Sequence, residues 1–366
     1  MFSYIHIIFV FIILIAVFAT GPEWNFVNAM TIQSSPNIPP IEMTALHDLY
    51  IQTGGINWTW ASNVTRIGTD TYTNGIPWNF TVDANPCTDQ WQGINCTFTA
   101  PYTNYHISAI VLVKHNLHGQ LPETVGNFTK LRFLNLAVNH LNGSLPATLR
   151  HLTQLIGLSL ASNKFHGTVP AVYQSLSVLR DIFLTDNNLS GSFPTQLAKL
   201  TSLRNIAIET NHFTGTIPNS ISNFKHVQSF YIDYNYFDGS IPNSICELTT
   251  LFDIHFSNNY LTGTIPSCLY QLHNLQELKL QNNQLTGSIP ESLDLLTDMT
   301  ILYLSDNELT GSLPITLGSL HRLQEISVHH NYLTGSLPAS YGQLSHLTNL
   351  YVENNHLGGT LAPALG

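Results

Sequence analysis

Charged residues are scarce in this sequence, and basic residues are the scarcest. The 366 residues include 12 Lys or Arg and 22 Asp or Glu, which gives a formal net charge of −10 with neutral histidines. An acidic balance argues against nucleic acid and against an anionic membrane surface as partners. We therefore expect a ligand that is not strongly acidic and a surface formed largely by uncharged polar side chains.

Motifs for catalysis and metal binding are also missing. There is no glycine loop for phosphate, no nucleophile elbow, and no carboxylate pair set apart from the repeat pattern described below. Asp181 and Glu209 occupy surface positions of that pattern, so we expect them to be exposed and to have ordinary acidity. No histidine pair has a repeated ligand spacing with a cysteine or carboxylate completing a site. The chain is predicted to be no enzyme and to need no metal or cofactor.

Cysteine is rare, with four residues in the whole chain. Cys87 and Cys96 enclose a short polar loop and are predicted to pair in an oxidising compartment. Cys246 and Cys268 lie in adjacent repeats but slightly out of register. A second disulfide and two buried thiols are both open there.

Long apolar runs are confined to the amino terminus, where residues 4–19 are interrupted only by His6. Small residues follow near positions 19 and 29, which predicts a secretory signal over residues 1–19, or alternatively to 29, and a leader over 20–40. The run is short for a full span, and an uncleaved anchor is the alternative. The chain is expected outside the cell or at its surface.

Asn-x-Ser/Thr sequons agree with a secretory route. The predicted glycosylation sites are Asn57, Asn63, Asn79, Asn95, Asn127, Asn142 and Asn188. Glycans at these sites would crowd the amino-terminal half and leave the later part of the chain bare.

One unit dominates the rest of the sequence. Eleven repeats of 24 residues run from residue 107 to 362, with proline at every twenty-fourth position from Pro122 to Pro338. Such a period indicates stacked coils that contact only their neighbours. Alternating apolar residues such as Leu134 and Leu136 predict one short strand per coil with a buried face, and the strands are expected to form a parallel sheet. We predict a solenoid over residues 105–366, with its last repeat incomplete.

Asparagine recurs once per repeat, where the chain turns out of the strand. A short amide at this point can bond backbone groups that the turn leaves unpaired and can bridge neighbouring coils. The predicted structural ladder is Asn139, Asn163, Asn187, Asn211, Asn235, Asn259, Asn283, Asn307, Asn331 and Asn355. The first repeat has His115 in this place, as an end coil can tolerate.

Residues 41–104 are predicted to cap the first coil. Pro39-Pro40 is suited to starting a helix, and apolar residues from Ile41 to Tyr50 follow at helical spacing until Gly54-Gly55. Four tryptophans come next in an irregular stretch. We expect them to form the core of the cap rather than a ligand site.

The repeat Asn283-Gln284-Leu285-Thr286-Gly287-Ser288-Ile289-Pro290 resembles the plant extracellular type of leucine-rich repeat. Asn85-Pro86-Cys87 with Trp91-x-Gly93-Ile94-x-Cys96 is similar to the amino-terminal cap of the same family. The resemblance covers residues 41–362. It implies an α/β solenoid, a right-handed superhelix with a parallel β-sheet on its concave face, behind a helical, disulfide-bonded cap.

Proteins of this family include receptor-like kinase ectodomains, receptor-like proteins and secreted inhibitors of polygalacturonases, which act by binding rather than catalysis. Ala362 stands where the repeat has proline, and no membrane span or kinase follows. We expect a fragment of a longer receptor, attached to a membrane only through a further segment or an uncleaved anchor. An open end covered by self-association is the alternative.

The variable strand positions face outward together and form the predicted binding surface. Aromatic side chains with polar handles dominate recognition interfaces, and clustered carboxylates favour a basic partner. The predicted ligand-binding residues are Phe183, Tyr231, Asp233, His255, Lys279, Tyr303, His329, Tyr351 and Glu353. A protein, peptide or glycan ligand fits this surface, and histidines such as His255 and His329 leave pH-tuned binding open.

Two other functions remain as alternatives. The runner-up is a secreted inhibitor of a cell-wall-degrading enzyme, similar to the polygalacturonase inhibitors. The more remote one is ice binding, because segments such as Thr262-Gly263-Thr264 and Thr286-Gly287-Ser288 stack hydroxyls in a pattern that looks like the flat threonine arrays of solenoid ice-binding proteins.

Overall fold

The structure is a computed structural model that describes residues 38–60, 75–81, 83–99, 104–360 and 363. The expected signal, nearly all of the leader, the Asn63 sequon and the end of the last repeat lie outside the described residues.

The cap begins with helix α1, Pro40–Gln52, which has proline at its first positions as expected. A single 3-10 turn, Gly55–Asn57, follows it. Ala45, Leu46 and Leu49 are buried, but Ile41 is 56% exposed. The buried residue of the first turn is instead Glu42. Its carboxylate accepts the Ile107 N–H at 2.8 Å and lies 2.6 Å from His106 Nδ1. Helical spacing therefore located the helix but not its whole buried face.

The cap tryptophans form its core, as predicted. Trp58, Trp78 and Trp91 are buried, with ring centroids 4.9 Å apart for Trp58 and Trp78 and 5.6 Å apart for Trp78 and Trp91. The predicted Cys87–Cys96 disulfide is present, with Cα atoms 5.8 Å apart.

A long sheet of twelve strands runs the length of the solenoid. Its first two strands are antiparallel, and every later strand is parallel to its neighbour with a step of one repeat, as where Ile110 lies opposite Leu134. The strands are β1 Ile94–Thr99, β2 Asn104–Val111, β4 Phe133–Asn135, β6 Gly157–Ser159, β8 Asp181–Phe183, β10 Asn205–Ala207, β12 Ser229–Tyr231, β14 Asp253–His255, β16 Glu277–Lys279, β18 Ile301–Tyr303, β20 Glu325–Ser327 and β22 Asn349–Tyr351.

A second, side sheet of nine parallel strands is formed by the segment that follows each ladder asparagine. Its strands are β3 His118–Gln120, β5 His140–Ser144, β7 Lys164–Gly167, β9 Asn188–Ser192, β11 His212–Thr216, β13 Tyr236–Ser240, β15 Tyr260–Thr264, β17 Gln284–Ser288 and β19 Glu308–Thr310. The pair β21 Thr334–Gly335 and β23 His356–Leu357 continues the pattern as a separate two-stranded sheet.

Each coil returns through a short 3-10 helix that begins directly after the recurrent proline. These helices are Glu123–Asn127, Ala147–His151, Ala171–Ser175, Thr195–Lys199, Asn219–Asn223, Asn243–Glu247, Ser267–Gln271, Glu291–Leu295, Ile315–Ser319 and Ala339–Gln343. Proline suits the position because its ring fixes φ at a value that is compatible with the start of a helix. The Cys246–Cys268 disulfide, left open by the sequence, joins two consecutive helices with Cα atoms 5.9 Å apart.

The core is one continuous stack of apolar side chains from all coils. Leu134, Leu136, Leu141 and Leu149 are fully buried, and Leu145 nearly so. These side chains are covered by the coils on either side, so a coil is stable only when it is stacked on its neighbours.

The asparagine column links consecutive coils through buried hydrogen bonds. Asn235 Oδ1 accepts the Phe213 N–H of the preceding coil at 3.0 Å, and its Nδ2 donates to the carbonyls of Ile208, Ile232 and Asp233 at 3.0, 3.1 and 3.2 Å. The residue before each ladder asparagine has a positive φ, from Val138 to Asn354. The amide therefore satisfies backbone groups that this left-handed turn takes out of the sheet.

No helix in the described ranges has the length and apolar content that a membrane crossing requires.

Candidate functional site

The outer face of the long sheet is the candidate site. Alternate strand residues such as Ile254 and Leu278 belong to the core, so their neighbours point away from it. Three columns result, with one residue per coil in each. The first column includes Asp181, Asp253, Glu277 and Glu325. The central column is Val111, Asn135, Ser159, Phe183, Ala207, Tyr231, His255, Lys279, Tyr303, Ser327 and Tyr351, and the third includes Thr185, Glu209, Asp233, Ser257, Gln281, Ser305, His329 and Glu353.

All nine predicted ligand-binding residues lie on this outer face, but they differ in exposure. Phe183, Asp233, His255 and Lys279 are 4%, 8%, 5% and 6% exposed. Half-buried are Tyr231, Tyr303 and His329, while Tyr351 and Glu353 are exposed. The first four face outward as predicted but are nearly buried, because side chains of adjacent columns cover them. They form the floor of the face.

Tyr231, in the central column, contacts a carboxylate through its hydroxyl and an imidazole through its ring. Its Oη donates to Asp253 Oδ2 at 3.0 Å, and Ser229 Oγ donates to the same oxygen at 3.1 Å. The Tyr231 ring stacks on the His255 imidazole, with centroids 4.4 Å apart and an interplanar angle of 19°. Burial and the Asp253 charge raise the pKa of Tyr231, so it remains a neutral donor. Burial also raises the pKa of the Asp253 carboxyl.

Glu277 connects His255 of the preceding coil with Lys279 of its own strand. His255 Nε2 lies 2.9 Å from Glu277 Oε2, and Lys279 Nζ donates to the same oxygen at 2.6 Å. Burial alone would raise the pKa of Glu277, but the His255 hydrogen bond and the Lys279 charge outweigh it and lower the pKa to about 2. The carboxylate is ionised throughout the physiological range and fixes both partners.

The same motif repeats toward the carboxyl end. Lys279 Nζ lies 5.9 Å from the centroid of the Tyr303 ring, which is within the range of a cation–π contact. Tyr303 Oη donates to Glu325 Oε2. Burial and this hydrogen bond raise the pKa of Tyr303. One chain of polar contacts therefore crosses five coils from Tyr231 to Glu325.

An apolar patch borders this polar chain on its amino-terminal side. Phe183 and Ala207 form a small cluster separate from the main core, and Phe133 and Tyr231 pack against it. Phe183 and Ala207 are themselves nearly buried, so the partly buried Phe133 and Tyr231 are the members of this cluster that reach the surface.

Asp181 and Glu209 differ from their expected exposure and acidity. Asp181 is 4% exposed, and burial raises the pKa of its carboxyl although Asn205 Nδ2 donates to Oδ1 at 2.6 Å. Burial raises the pKa of Glu209 to about 8, and the charges of Asp233 and Asp186 add to the shift. Each acid lies beside a side chain of the following coil, Asn205 for Asp181 and Asp233 for Glu209, and linear spacing does not show these neighbours.

Asp233 has a structural contact that the sequence did not suggest. Its Oδ1 accepts the Ser257 backbone N–H at 2.8 Å and the Ser257 hydroxyl at 2.5 Å. This carboxylate ties one coil to the next, as the ladder asparagines do.

The described sequon asparagines lie away from the later part of the outer face. Asn57, Asn79, Asn142 and Asn188 are exposed, and Asn95 and Asn127 are half-buried. Asn142 and Asn188 belong to strands of the side sheet.

Family models agree with this architecture. Models described as leucine rich repeat match residues 130–152, 249–309 and 297–357. A search of curated protein sequences gave no match.

Solved structures similar to the chain include ectodomains of plant receptor kinases. The leucine-rich-repeat ectodomain of GASSHO1/SCHENGEN3 from Arabidopsis thaliana, in complex with CASPARIAN STRIP INTEGRITY FACTOR 2, is 35% identical with a TM-score of 0.73 and covers 76% of this chain. The Arabidopsis receptor kinase HAESA, in complex with the peptide hormone IDA and the co-receptor SERK1, is 26% identical with a TM-score of 0.68 and covers 87%. The chain spans 33% of the first of these chains and 54% of the second.

A plant ice-binding protein shares the fold as well. It is 24% identical with a TM-score of 0.68, and the match covers 88% of this chain and 96% of that one.

Proposed function

Since the chain belongs to the leucine-rich-repeat proteins and its repeats are of the plant extracellular type, we propose that it is an extracellular, receptor-like recognition protein. It binds a peptide or protein ligand through the outer face of the long sheet, from β12 to β22, and it catalyses no reaction. A glycan is the other ligand class that this face suits.

The connected side chains from Tyr231 to Glu325 carry the proposal. The solenoid itself is held by the core and by the asparagine ladder, so a scaffold needs only polar residues at these strand positions. Here the positions instead hold aromatic rings whose hydroxyls bond to carboxylates, as Tyr231 does to Asp253. They also hold Lys279 and His255, which are both nearly buried against Glu277. Rigid aromatic side chains with polar tips lose little conformational freedom on binding, which is why they dominate recognition surfaces.

The charge of the face favours a ligand with basic groups. Asp253, Glu277, Glu325 and Glu353 line it, while Lys279 and His255 are both committed to Glu277. Complementary charge would speed association and orient the ligand more than it adds affinity. A basic or neutral peptide that lies along the coils fits this surface better than an acidic one.

The similar structures support a peptide as the ligand class. The GASSHO1/SCHENGEN3 ectodomain is in complex with CASPARIAN STRIP INTEGRITY FACTOR 2, and HAESA is in complex with the peptide hormone IDA. The present chain spans only part of each of these receptors. That it forms part of a receptor that signals through a membrane is therefore proposed as well.

Selection from a phage-displayed library of random 12-residue peptides tests the proposal. The wild-type chain is expected to enrich peptides that contain Lys or Arg together with aromatic residues. Tyr231→Ala with Tyr303→Ala should weaken binding of an enriched peptide by at least about tenfold, because these hot-spot rings are lost. The matched control is Tyr236→Ala with Tyr260→Ala, which removes two exposed, stacked tyrosines of the side sheet.

Two outcomes would count against the outer face. One is equal binding of the enriched peptide by the Tyr231/Tyr303 variant and the wild type. The other is a loss of binding in the control variant alone. Inhibition of a polygalacturonase by the isolated chain would favour the inhibitor, which remains the runner-up.

Ice binding is the second candidate, and one observation favours it. The side sheet presents outward hydroxyls, because Thr214, Thr262, Thr286 and Thr310 are exposed or half-buried on its parallel strands, and Thr334 on β21 continues the row. Asp238 interrupts this row. Thermal hysteresis of the wild-type chain that Thr286→Lys abolishes would establish this function, and no hysteresis at millimolar concentration would exclude it.

A further inference from the structure

We propose that Asp306, His329 and His330 form a binding site for one divalent transition-metal ion. The proposal does not rest on the proposed ligand function, although His329 also belongs to the outer face. The cluster lies where the third column meets the turn after the strand. Among the described residues, these three are the one group of His, Cys, Asp or Glu side chains whose potential ligand atoms all lie within 4.8 Å of one another.

The carboxylate comes from the coil before the histidines. His329 Nε2 lies 3.4 Å from Asp306 Oδ2, and His330 Nδ1 lies 3.3 Å from Asp306 Oδ1. In a tetrahedral site with bonds of about 2.0–2.2 Å, neighbouring ligand atoms are about 3.3–3.6 Å apart. Each imidazole nitrogen is therefore at about this separation from one oxygen of the carboxylate, His329 from Oδ2 and His330 from Oδ1.

Both imidazoles have a partner on their other ring nitrogen. Ser327 Oγ lies 3.0 Å from His329 Nδ1, and the Asn354 side-chain amide lies 2.8 Å from His330 Nε2. When His329 Nδ1–H donates to Ser327, Nε2 is left as a free lone pair facing Asp306. The Asn354 atom at this distance is Nδ2, which donates to His330 Nε2. Rotating the amide by 180° places Oδ1 there instead, so that His330 Nε2–H donates to it and Nδ1 is freed for the ion. Such outer partners orient the ligand rings and fix their tautomers in metal sites.

The backbone holds two of the ligands in place. Asp306 and His330 occupy the left-handed turn position of consecutive coils, with φ of 52° and 51°. Asn354 occupies the same position in the next coil, with φ of 55°. Asp306, His330 and Asn354 thus stack in one column, and the coil spacing sets their separation.

Solvent reaches the cluster. The side chains of His329, Asp306 and His330 are 24%, 39% and 52% exposed, so an ion can enter and three protein ligands leave at least one coordination position open. Two imidazoles and one carboxylate favour Zn²⁺, Cu²⁺ or Ni²⁺ over Ca²⁺ and Mg²⁺, which prefer all-oxygen sites.

The sequence predicts no metal site because Asp306 is far from His329 and His330 along the chain. Asp306 precedes His330 by one repeat, so only the stacking of coils brings them together. Reading each column from coil to coil is the signal that would have found the site.

Titration calorimetry of the tag-free chain with ZnCl₂ tests the proposal. The wild type should bind one Zn²⁺ per chain, and CaCl₂ and MgCl₂ should not compete. His330→Asn and Asp306→Asn should each weaken binding by at least about tenfold. Asparagine already occupies the same turn position at Asn258, Asn282 and Asn354 with positive φ, so both variants are expected to fold.

A second histidine pair provides the control. The rings of His118 and His140 are 4.8 Å apart, but this pair is not part of a three-residue group. His140→Gln should leave the affinity and the stoichiometry of one unchanged. Replacing Zn²⁺ with Co²⁺ gives an independent readout, since its visible absorption should appear in the wild type and disappear in His330→Asn.

Three results would overturn the proposal. They are no saturable Zn²⁺ binding by the wild type, wild-type affinity in both His330→Asn and Asp306→Asn, and loss of the bound ion in His140→Gln instead.

Discussion

At the residue scale, Glu209 couples stability to pH. Below its ordinary pKa of 4.5 the carboxyl is protonated in both the folded and the unfolded chain. Burial raises the folded-state pKa to about 8, so between these values the unfolded chain has lost a proton that the folded chain keeps. Stability therefore falls as pH rises through this window, by up to about 1.4 kcal/mol for each unit of pKa shift.

Replacing Glu209 with glutamine should remove this pH dependence. The melting temperature of Glu209→Gln should change little between pH 5 and pH 8.5, whereas that of the wild type falls. Thermal unfolding followed by circular dichroism measures the difference. The control is Glu353→Gln, which alters an exposed acid of the same column. Parallel curves for the wild type and Glu209→Gln would show that the buried carboxyl is not responsible.

Glu277 acts in a different pH window. Its folded-state pKa is lowered to about 2 by the His255 hydrogen bond and the Lys279 charge, against the effect of burial. Its contribution is therefore present above pH 4.5 and is lost as pH falls from there toward 2. The two acids can be separated by measuring stability on either side of pH 4.5.

The ladder asparagines give a second residue-scale prediction. Asn235→Leu removes four hydrogen bonds and leaves the Phe213 N–H and three carbonyls without this partner. Unfolding should become easier by about 1–3 kcal/mol. Asn223→Leu, at an exposed asparagine in the preceding 3-10 helix, should change stability much less. Urea unfolding curves that coincide for Asn235→Leu and the wild type would refute the ladder's role.

Single residues on the outer face were only partly predictable. Alternation of apolar and polar positions correctly placed Tyr231, His255 and Lys279 away from the core. It could not show that His255 and Lys279 are nearly buried, because their cover comes from side chains one repeat away, such as Glu277. A one-dimensional pattern gives the direction of a side chain but not its neighbours in adjacent coils.

At the scale of elements, the repeat pattern predicts the strands of the long sheet but not those of the side sheet. In β5 only Leu141 and Gly143 point inward, between exposed His140, Asn142 and Ser144. A single large apolar residue is too weak a period-two signal to predict a strand. The side sheet forms because each coil copies its neighbour, so backbone groups of the same segment meet across the stack.

The Cys246–Cys268 disulfide makes a prediction at this scale. It links the 3-10 helices of two consecutive coils and closes a loop of 22 residues. Replacing both cysteines with serine should lower stability by roughly 2–4 kcal/mol. Thermal unfolding checks this, and mass spectrometry after alkylation without reductant should find no free thiol in the wild type. Alkylation of the folded wild type at Cys246 or Cys268 would contradict the pairing.

At the scale of the whole molecule, the core, the returning helices and the outer face have different roles. The core and the ladder hold the stack, the 3-10 helices return the chain, and the outer face from β12 to β22 is proposed to serve recognition. The described sequons all lie at or before Asn188. Glycans at these positions would leave the later coils accessible, which agrees with the proposed location of the ligand.

Photo-cross-linking tests that location most directly. A peptide enriched on the wild-type chain, carrying a benzophenone side chain, is irradiated in the complex, and the cross-linked residues are identified by mass spectrometry. The account predicts cross-links on the outer face, within residues 229–234, 253–258, 277–282, 301–306, 325–330 and 349–354. Cross-links confined to the side-sheet strands, such as Tyr236–Ser240 and Tyr260–Thr264, or to the 3-10 helices would contradict it.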